Sequence, residues 1–166
     1  GSLRLFIQRQ GPAPDAPAQA RIDRCLAEEE ALSGVAPWRD LERWLEDWRS
    51  RFRGTVSRLK RTGKTVAAYA AASKATVLSN YVGLTSADVD WCCDASPLKQ
   101  GRLIPGSNIP IVAPAALRDD PPDAVIAFAW NIFDEIADVV AAGVVKETLL
   151  IRPLPEIEVR SVGGTR

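Results

Sequence analysis

The sequence contains no histidine and no methionine, and it has only three cysteines among 166 residues. Without histidine the chain lacks the commonest general base near neutral pH, and it cannot form a Ser-His-Asp or Cys-His catalytic arrangement. Two of the cysteines, Cys92 and Cys93, are adjacent. This pattern predicts neither a disulfide framework nor a zinc site, and it suits a reducing cytosol. Since translation normally starts at methionine, we expect this sequence to be a processed or excised piece.

An excess of charge of one sign and a long apolar run are also missing. Lys and Arg together number 21, as do Asp and Glu, so the net charge is zero. A neutral chain is a poor general partner for nucleic acid or an anionic membrane surface. The sequence has no uncharged apolar run of the roughly 18 residues that a membrane span needs, and residues 3–7 are too short for a signal peptide. We therefore predict a cytoplasmic protein with no membrane and no nucleic-acid partner.

The first 63 residues predict two segments that precede the main domain. Residues 1–20 comprise a short alternating strand at residues 2–8, interpreted as the remnant of an upstream domain, and a Pro/Ala-rich linker at residues 11–20. Residues 21–63 predict a helical arm, with a short helix at residues 21–33 and a long one at residues 37–62.

The long helix carries apolar residues spaced three or four apart, which places them on one stripe. Its members are Trp38, Leu41, Leu45, Trp48, Phe52, Val56 and Leu59. We favour a packing stripe against another domain or a partner helix, and a homo-oligomer is one such arrangement. The alternative is that the tryptophans form a ring-stacking site.

From residue 64 onwards, short apolar runs alternate with helical patterns. Strands are predicted at residues 65–69, 88–93, 110–112 and 124–129, with a final strand at 148–151. Helices are predicted between them at residues 73–82, 114–119 and 131–142. Alternation of this kind indicates a parallel sheet covered by helices. The predicted fold is therefore α/β: a small Rossmann-like, mostly parallel sheet at residues 64–160, preceded by the helical arm.

In such sheets ligands bind beyond the carboxyl ends of the strands. Residues 70–75, 94–105 and 130–131 should emerge there. Lys74 lies in the first turn of a predicted helix, where unpaired backbone N–H groups favour an anion. Residues 94–112 read DASPLKQGRLIPGSNIPIV, and their glycines and prolines predict a shaped loop that presents cations and amides. The alternatives are a solvated Lys74 and a loop whose charges are merely solvated. For Asn131 we favour the interpretation that it caps the helix that follows it.

A dinucleotide site is disfavoured. Ala70, Ala72 and Ala75 have the spacing of a GxGxxG fingerprint, and Asp94 stands near the place of a ribose-binding acid. None of the three is glycine, which the close approach of a pyrophosphate requires.

The string KQGR at residues 99–102, followed by PGSNIPI at residues 105–111, resembles the C-terminal domain of sugar C-methyltransferases that use S-adenosylmethionine (SAM). The pattern of that family is close to NPxKQGRxxPGTHIPI. Further similarities are YAAASKATVLSNYVG at residues 69–83, Trp130-Asn131, residues 153–156 and the opening GSLRLF, which resembles the family's GGSLR. The chain departs from the family at Ser107-Asn108, and it has alanine at Ala68, Ala70 and Ala75, where the family has glycine.

The resemblance implies the last part of a three-part enzyme, behind a zinc-binding lobe and a SAM-binding domain. This part would bind a nucleotide-linked deoxysugar and close the active site. The catalytic Glu/His pair and the SAM loop would lie upstream, so we expect the fragment to bind neither SAM nor zinc and to be inert alone. Whether the chain is itself an enzyme stays open.

The candidate substrate-binding residues are Tyr69, Lys74, Tyr81, Lys99, Gln100, Arg102, Trp130 and Asn131. Two alternatives remain: a structural or dimerisation module that binds no sugar, and a degenerate nucleotide-binding Rossmann module.

Overall fold

The computed structural model describes residues 4, 6–7, 9, 11 and 13–164. The strand predicted at residues 2–8 falls mostly outside these described residues. The chain divides into two compact units, residues 1–45 and 46–166. Helix α1 is Ala16–Glu30, and helix α2, Ala36–Arg61, begins in the first unit and continues into the second.

Helix α1 begins inside the stretch predicted as a linker. The reason is local: the Asp15 carboxylate accepts a hydrogen bond of 2.8 Å from the Ala18 N–H, which caps the helix. A proline in the first turn is compatible with this start, because its missing N–H would have no partner there. Helix α2 agrees with its prediction to within one residue at each end.

The apolar stripe of α2 has two different environments. In the second unit Trp48, Phe52 and Val56 are buried and belong to the core. In the first unit Trp38 is 55% exposed and Leu41 44% exposed, and no residue of α1 is buried. Burial in the core of the second unit therefore accounts for the second half of the stripe.

Six strands form one sheet in the order β3-β2-β1-β4-β5-β6. They are β1 (Val66–Tyr69), β2 (Trp91–Cys93), β3 (Ile111–Val112), β4 (Ala124–Ala127), β5 (Thr148–Arg152) and β6 (Glu158–Val162). The first five are parallel to their neighbours, and β6 is antiparallel to β5. The predicted α/β class with a mostly parallel sheet is confirmed.

The prediction that the strand at residues 148–151 is the last one was wrong, because β6 follows it. Strand β6 pairs with β5 alone, at the end of the strand order. Only Val162 of its five residues is buried. An edge strand with one buried residue lacks the apolar run by which the other strands were recognised.

Helices cover both faces of the sheet. They are α3 (Ser73–Val82), α4 (Ala116–Asp119) and α5 (Phe133–Gly143), which follows a single 3-10 turn at Trp130–Ile132. One core lies between the sheet and helices α2 and α3, and the other between the sheet and helices α4 and α5. Adjacent residues such as Cys92 and Cys93 belong to opposite cores, so the central strands read as continuous apolar runs. No helix in the described part of the chain has the length and apolarity to cross a bilayer.

Candidate ligand site at the carboxyl ends of the strands

The strand order reverses between β1 and β4, and we call the region beyond the carboxyl ends of these two strands the crevice. From β1 the chain passes through α3 to β2 on one side, and from β4 it passes through α5 to β5 on the other. The two connections therefore diverge just beyond Tyr69 and Ala127, which are paired at the ends of their strands. In open α/β sheets this divergence is where ligands bind.

Three of the predicted residues meet at this crevice. The Lys74 ammonium donates a hydrogen bond of 2.5 Å to Asn131 Oδ1, and it lies 5.1 Å from the centre of the Trp130 ring. Lys74 is in the first turn of α3, whose capping residue, Ala72, makes no side-chain hydrogen bond to the helix. The α3 N-terminus therefore presents both a cation and backbone N–H groups.

Asn131 does not cap the helix that follows it. The capping position of α5 is Ile132, with no side-chain hydrogen bond, and Asn131 lies within the preceding 3-10 turn. The capping interpretation was therefore wrong. The Asn131 side-chain oxygen accepts from Lys74 across 57 positions of sequence instead.

A second group of predicted residues surrounds Asp94, at the end of β2. The Asp94 carboxylate accepts hydrogen bonds of 2.9 Å from the Ser96 N–H and from the Lys99 ammonium. Gln100 Nε2 donates to the Asp94 carbonyl oxygen, also at 2.9 Å. Burial alone would raise the pKa of Asp94, but the bonds from Ser96 and Lys99 outweigh it and hold the pKa below its ordinary value.

These contacts change the interpretation of the loop. The side chains of Lys99 and Gln100 both donate hydrogen bonds to Asp94, so they stabilise the conformation of the loop. The side chain of Asp94 is only 11% exposed, and its carboxylate already accepts two hydrogen bonds. It is therefore poorly placed to accept hydrogen bonds from the hydroxyl groups of a ribose. This agrees with the sequence argument against a dinucleotide site.

The remaining candidates occupy different places. Tyr69 ends β1 beside the crevice, and burial raises its pKa, helped by Cys93 and Asp94. Arg102 is exposed at the base of a hairpin, where its carbonyl oxygen accepts from the Ile111 N–H at 2.8 Å.

Tyr81 lies apart from the crevice residues. It is in the last turn of α3, about 10 Å along the helix axis from Lys74 at 1.5 Å per residue. Its ring stacks on Trp48 with the centroids 6.3 Å apart, and the Arg49 guanidinium lies 5.7 Å from it. Tyr81 is thus engaged with α2.

Ala70 has a backbone conformation that sequence reasoning missed. Its φ is +73°, in the left-handed region, which costs a residue other than glycine roughly 1–2 kcal/mol. Its N–H donates to the Cys93 carbonyl at 2.9 Å, and its own carbonyl accepts from the Ala72 N–H at 2.9 Å. The only signal for this turn in the sequence was the resemblance to a pattern with glycine at this position. The turn keeps the conformation suited to glycine although the glycine is absent.

Comparison with known proteins gives a consistent result. Residues 1–155 match the model of a family described as the C-methyltransferase C-terminal domain. The chain is 33% identical over 167 residues to the C-methyltransferase NovU of Streptomyces niveus. The match covers 99% of this chain and 39% of that protein, so the chain spans about two fifths of the length of this relative. The resemblance seen in the KQGR and PGSNIPI strings is thereby confirmed, and the chain belongs to the C-methyltransferase C-terminal domain family.

Proposed function

We propose that this chain is the substrate-binding domain of a sugar C-methyltransferase, and that it binds a nucleotide-linked deoxysugar at the crevice between β1 and β4. The observation that carries the proposal is the environment of Lys74. Its ammonium has an amide oxygen and an aromatic ring as neighbours, and among residues 13–164 no carboxylate pairs with it. An uncompensated cation at a helix N-terminus suits an anionic ligand.

A nucleotide sugar has the matching chemistry. Its diphosphate would accept a charged hydrogen bond from the Lys74 ammonium, and a bond of this kind contributes about 1.5–3 kcal/mol. Trp130 offers an aromatic face, and Asn131 and Tyr69 offer neutral hydrogen-bonding groups near the sugar. Arg102, which is exposed on the loop after β2, is a second candidate cation for the ligand.

Methyl transfer itself would need the rest of the enzyme. The sequence contains no glycine-rich SAM loop and no histidine. We therefore assign SAM, zinc and the catalytic residues to the other part of the methyltransferase. On this proposal the domain holds the sugar and closes the active site, and it is inert alone.

The first unit supports a second role, which is attachment to the rest of that methyltransferase. Helix α1 has 15 residues and none is buried, and isolated helices of that length are marginal in water. Ile22, Leu26, Trp38 and Leu41 are all at least 44% exposed. We propose that these residues pack on the SAM-binding part. A second copy of the chain on the same face would instead favour the dimerisation alternative.

The test of sugar binding is a titration of the isotope-labelled chain with several nucleoside-diphosphate sugars. We expect the resonances of Lys74, Trp130 and Asn131 to move on addition of ligand. Lys74→Ala should weaken binding about ten- to hundredfold, which corresponds to the loss of one charged hydrogen bond. The matched control is Lys64→Ala, which removes an exposed lysine outside the crevice and should leave the affinity unchanged. If no resonance of the three crevice residues moves at millimolar ligand, the proposal fails.

A further inference from the structure

We propose that a groove between α2 and the C-terminal end of α3 binds a phosphate group, either as free phosphate or as part of a phosphorylated small molecule. The groove has a volume of about 560 Å³, within the range of about 300–1,000 Å³ that is typical of small-molecule sites. It shares no lining residue with the crevice, so this inference does not depend on sugar binding. The residues that carry it are Arg49, Ser50, Arg53, Gly54, Ser57 and Gly83.

Most of the groove is one face of α2. Ser50, Gly54 and Ser57 are four and three positions apart, so they lie in line along the helix. Arg49 and Arg53 lie beside this line, one turn apart. The face therefore offers two guanidinium groups and two hydroxyl groups, which are the donors that phosphate oxygens accept from.

The charge of Arg49 has no acidic partner. Its guanidinium lies over the Tyr81 ring, 5.7 Å from the ring centre, and it forms no ion pair in the described part of the chain. The acidic residue two positions before it, Asp47, pairs with Arg51 instead. A guanidinium that stacks on an aromatic ring keeps the N–H groups at its edge available for an oxyanion.

Arg53 is fixed in place and still has donors left. Its Nη1 donates to the Gly83 carbonyl at 2.9 Å and to the Asp88 carboxylate at 2.7 Å. Its Nε and Nη2 form no hydrogen bond with the described residues. A guanidinium holds a phosphate through two parallel N–H groups. Asp88 offsets part of the Arg53 charge, so Arg49 supplies the excess positive charge of the groove.

Gly54 distinguishes this groove from an ordinary charged helix face. It lies in the middle of α2, where glycine is less favourable than alanine. A β-carbon at this position would meet nothing within 4 Å, so packing does not require a glycine. Glycine is suited to places where a ligand approaches the backbone closely. The floor of the groove is therefore open between the two arginines and the two serines.

The experiment is a titration of the isotope-labelled full chain with inorganic phosphate, followed by NMR at constant ionic strength with chloride as the balancing anion. We expect the side-chain Nε–H resonances of Arg49 and Arg53 and the amide resonance of Gly54 to move with one common Kd. If tens of millimolar phosphate move none of the three, the inference is overturned. Chloride alone moving them by the same amount overturns it too.

A pair of arginine variants tests whether the groove or the general charge of the helix holds the anion. Arg49→Gln should raise the Kd for phosphate about tenfold, as expected for the loss of one charged hydrogen bond. The matched control is Arg58→Gln. Arg58 is exposed on the same helix, forms no ion pair with the described residues and does not line the groove. Its replacement should change the Kd less than about twofold, and equal effects of the two variants would contradict a site in the groove.

Gly54→Leu separates binding from folding. The space above Gly54 is open and leucine is the better helix former, so this variant should be at least as stable as the wild type in urea. Its side chain fills the floor of the groove, and we expect the Kd for phosphate to rise at least about tenfold. A folded Gly54→Leu with the wild-type Kd overturns the inference. Should it fail to fold, the comparison of Arg49→Gln with Arg58→Gln decides.

A nucleoside monophosphate, titrated in the same way, distinguishes the two sources of the phosphate group. Tighter binding than that of inorganic phosphate at these resonances identifies a phosphorylated small molecule as the ligand, and equal affinity identifies free phosphate. The resonances of Lys74 and Asn131 report on the crevice in the same spectra. Failure of this inference is therefore distinguishable from failure of the proposed sugar binding.

Discussion

Gly106 lies directly against the side chain of Asn80: a β-carbon built on this glycine would stand 2.0 Å from Asn80 Oδ1. The contact joins the tip of the hairpin before β3 to helix α3. Asn80 Nδ2 reinforces it by donating to the Pro105 carbonyl at 2.9 Å, and to the Thr76 carbonyl at 2.7 Å. The helix that carries Lys74 at one end is therefore held by the PGSN segment near its other end.

Replacing Gly106 should show how much this close approach matters. Gly106 and Gly101 both have positive φ, +81° and +77°, but a β-carbon on Gly101 would meet nothing within 4 Å. We expect Gly101→Ala to lower the free energy of unfolding by about 1–2 kcal/mol, the cost of the backbone conformation. Gly106→Ala should cost roughly 1–3 kcal/mol more, because Asn80 must move. Urea unfolding of both variants measures the difference, and equal losses would show that the contact with Asn80 is not tight.

Local sequence patterns predicted much of the fold because each element carries its own signal. Helix α3 was predicted at its observed bounds, where Gly83 ends it in a left-handed conformation. The strands were recognisable as apolar runs because helices cover both faces of the sheet. Strand β6 carries no such run, and it was missed.

The candidate site was predictable only in part. Parallel strands bring their carboxyl ends to one edge, and that rule is enough to expect Lys74 near Asn131. The same rule does not say which side chains form hydrogen bonds with each other. The hydrogen bonds that Lys99 and Gln100 donate to Asp94 could therefore not be predicted from the sequence. The left-handed Ala70 was equally hidden, since alanine gives no sign of positive φ.

The two halves of the α2 stripe lie in different environments, so we predict that substitutions in the two halves lower the stability by different amounts. Phe52 is fully buried in the core of the second unit, whereas Leu41 in the first unit is 44% exposed. Phe52→Ala should lower the free energy of unfolding by about 3–5 kcal/mol, through lost burial and the cavity left behind. Leu41→Ala should cost less than about 1 kcal/mol, because much of this side chain is already in water. Chemical denaturation measures both, and a large loss in Leu41→Ala would mean that the exposed half is covered in solution.

The Asp123 side chain links the amino ends of neighbouring strands. The Asp123 carboxylate, just before β4, accepts from the Lys146 ammonium at 2.9 Å. It also accepts from the Thr65 N–H at 2.8 Å and from the Thr65 hydroxyl at 3.0 Å. The bond from Lys146, followed by the bond from the Thr65 N–H, lowers the pKa of Asp123 from 3.8 to about 2.

The low pKa of Asp123 predicts how stability changes in acid. The folded state binds this proton more weakly than the unfolded state, whose value is near 3.8, so the charged carboxylate stabilises the fold above about pH 4. That contribution should decline as the pH falls from about 4 towards 2, where Asp123 becomes protonated in the folded chain as well. Asp123→Asn should be less stable than the wild type at neutral pH, and its free energy of unfolding should fall less steeply across that interval. Asp120→Asn, which removes an exposed aspartate three residues earlier, should leave the slope nearly unchanged. Urea unfolding at a series of pH values compares the three proteins. If the free energy of unfolding changed equally with pH in the wild type and in Asp123→Asn, the contacts with Lys146 and Thr65 would not lower the pKa of Asp123.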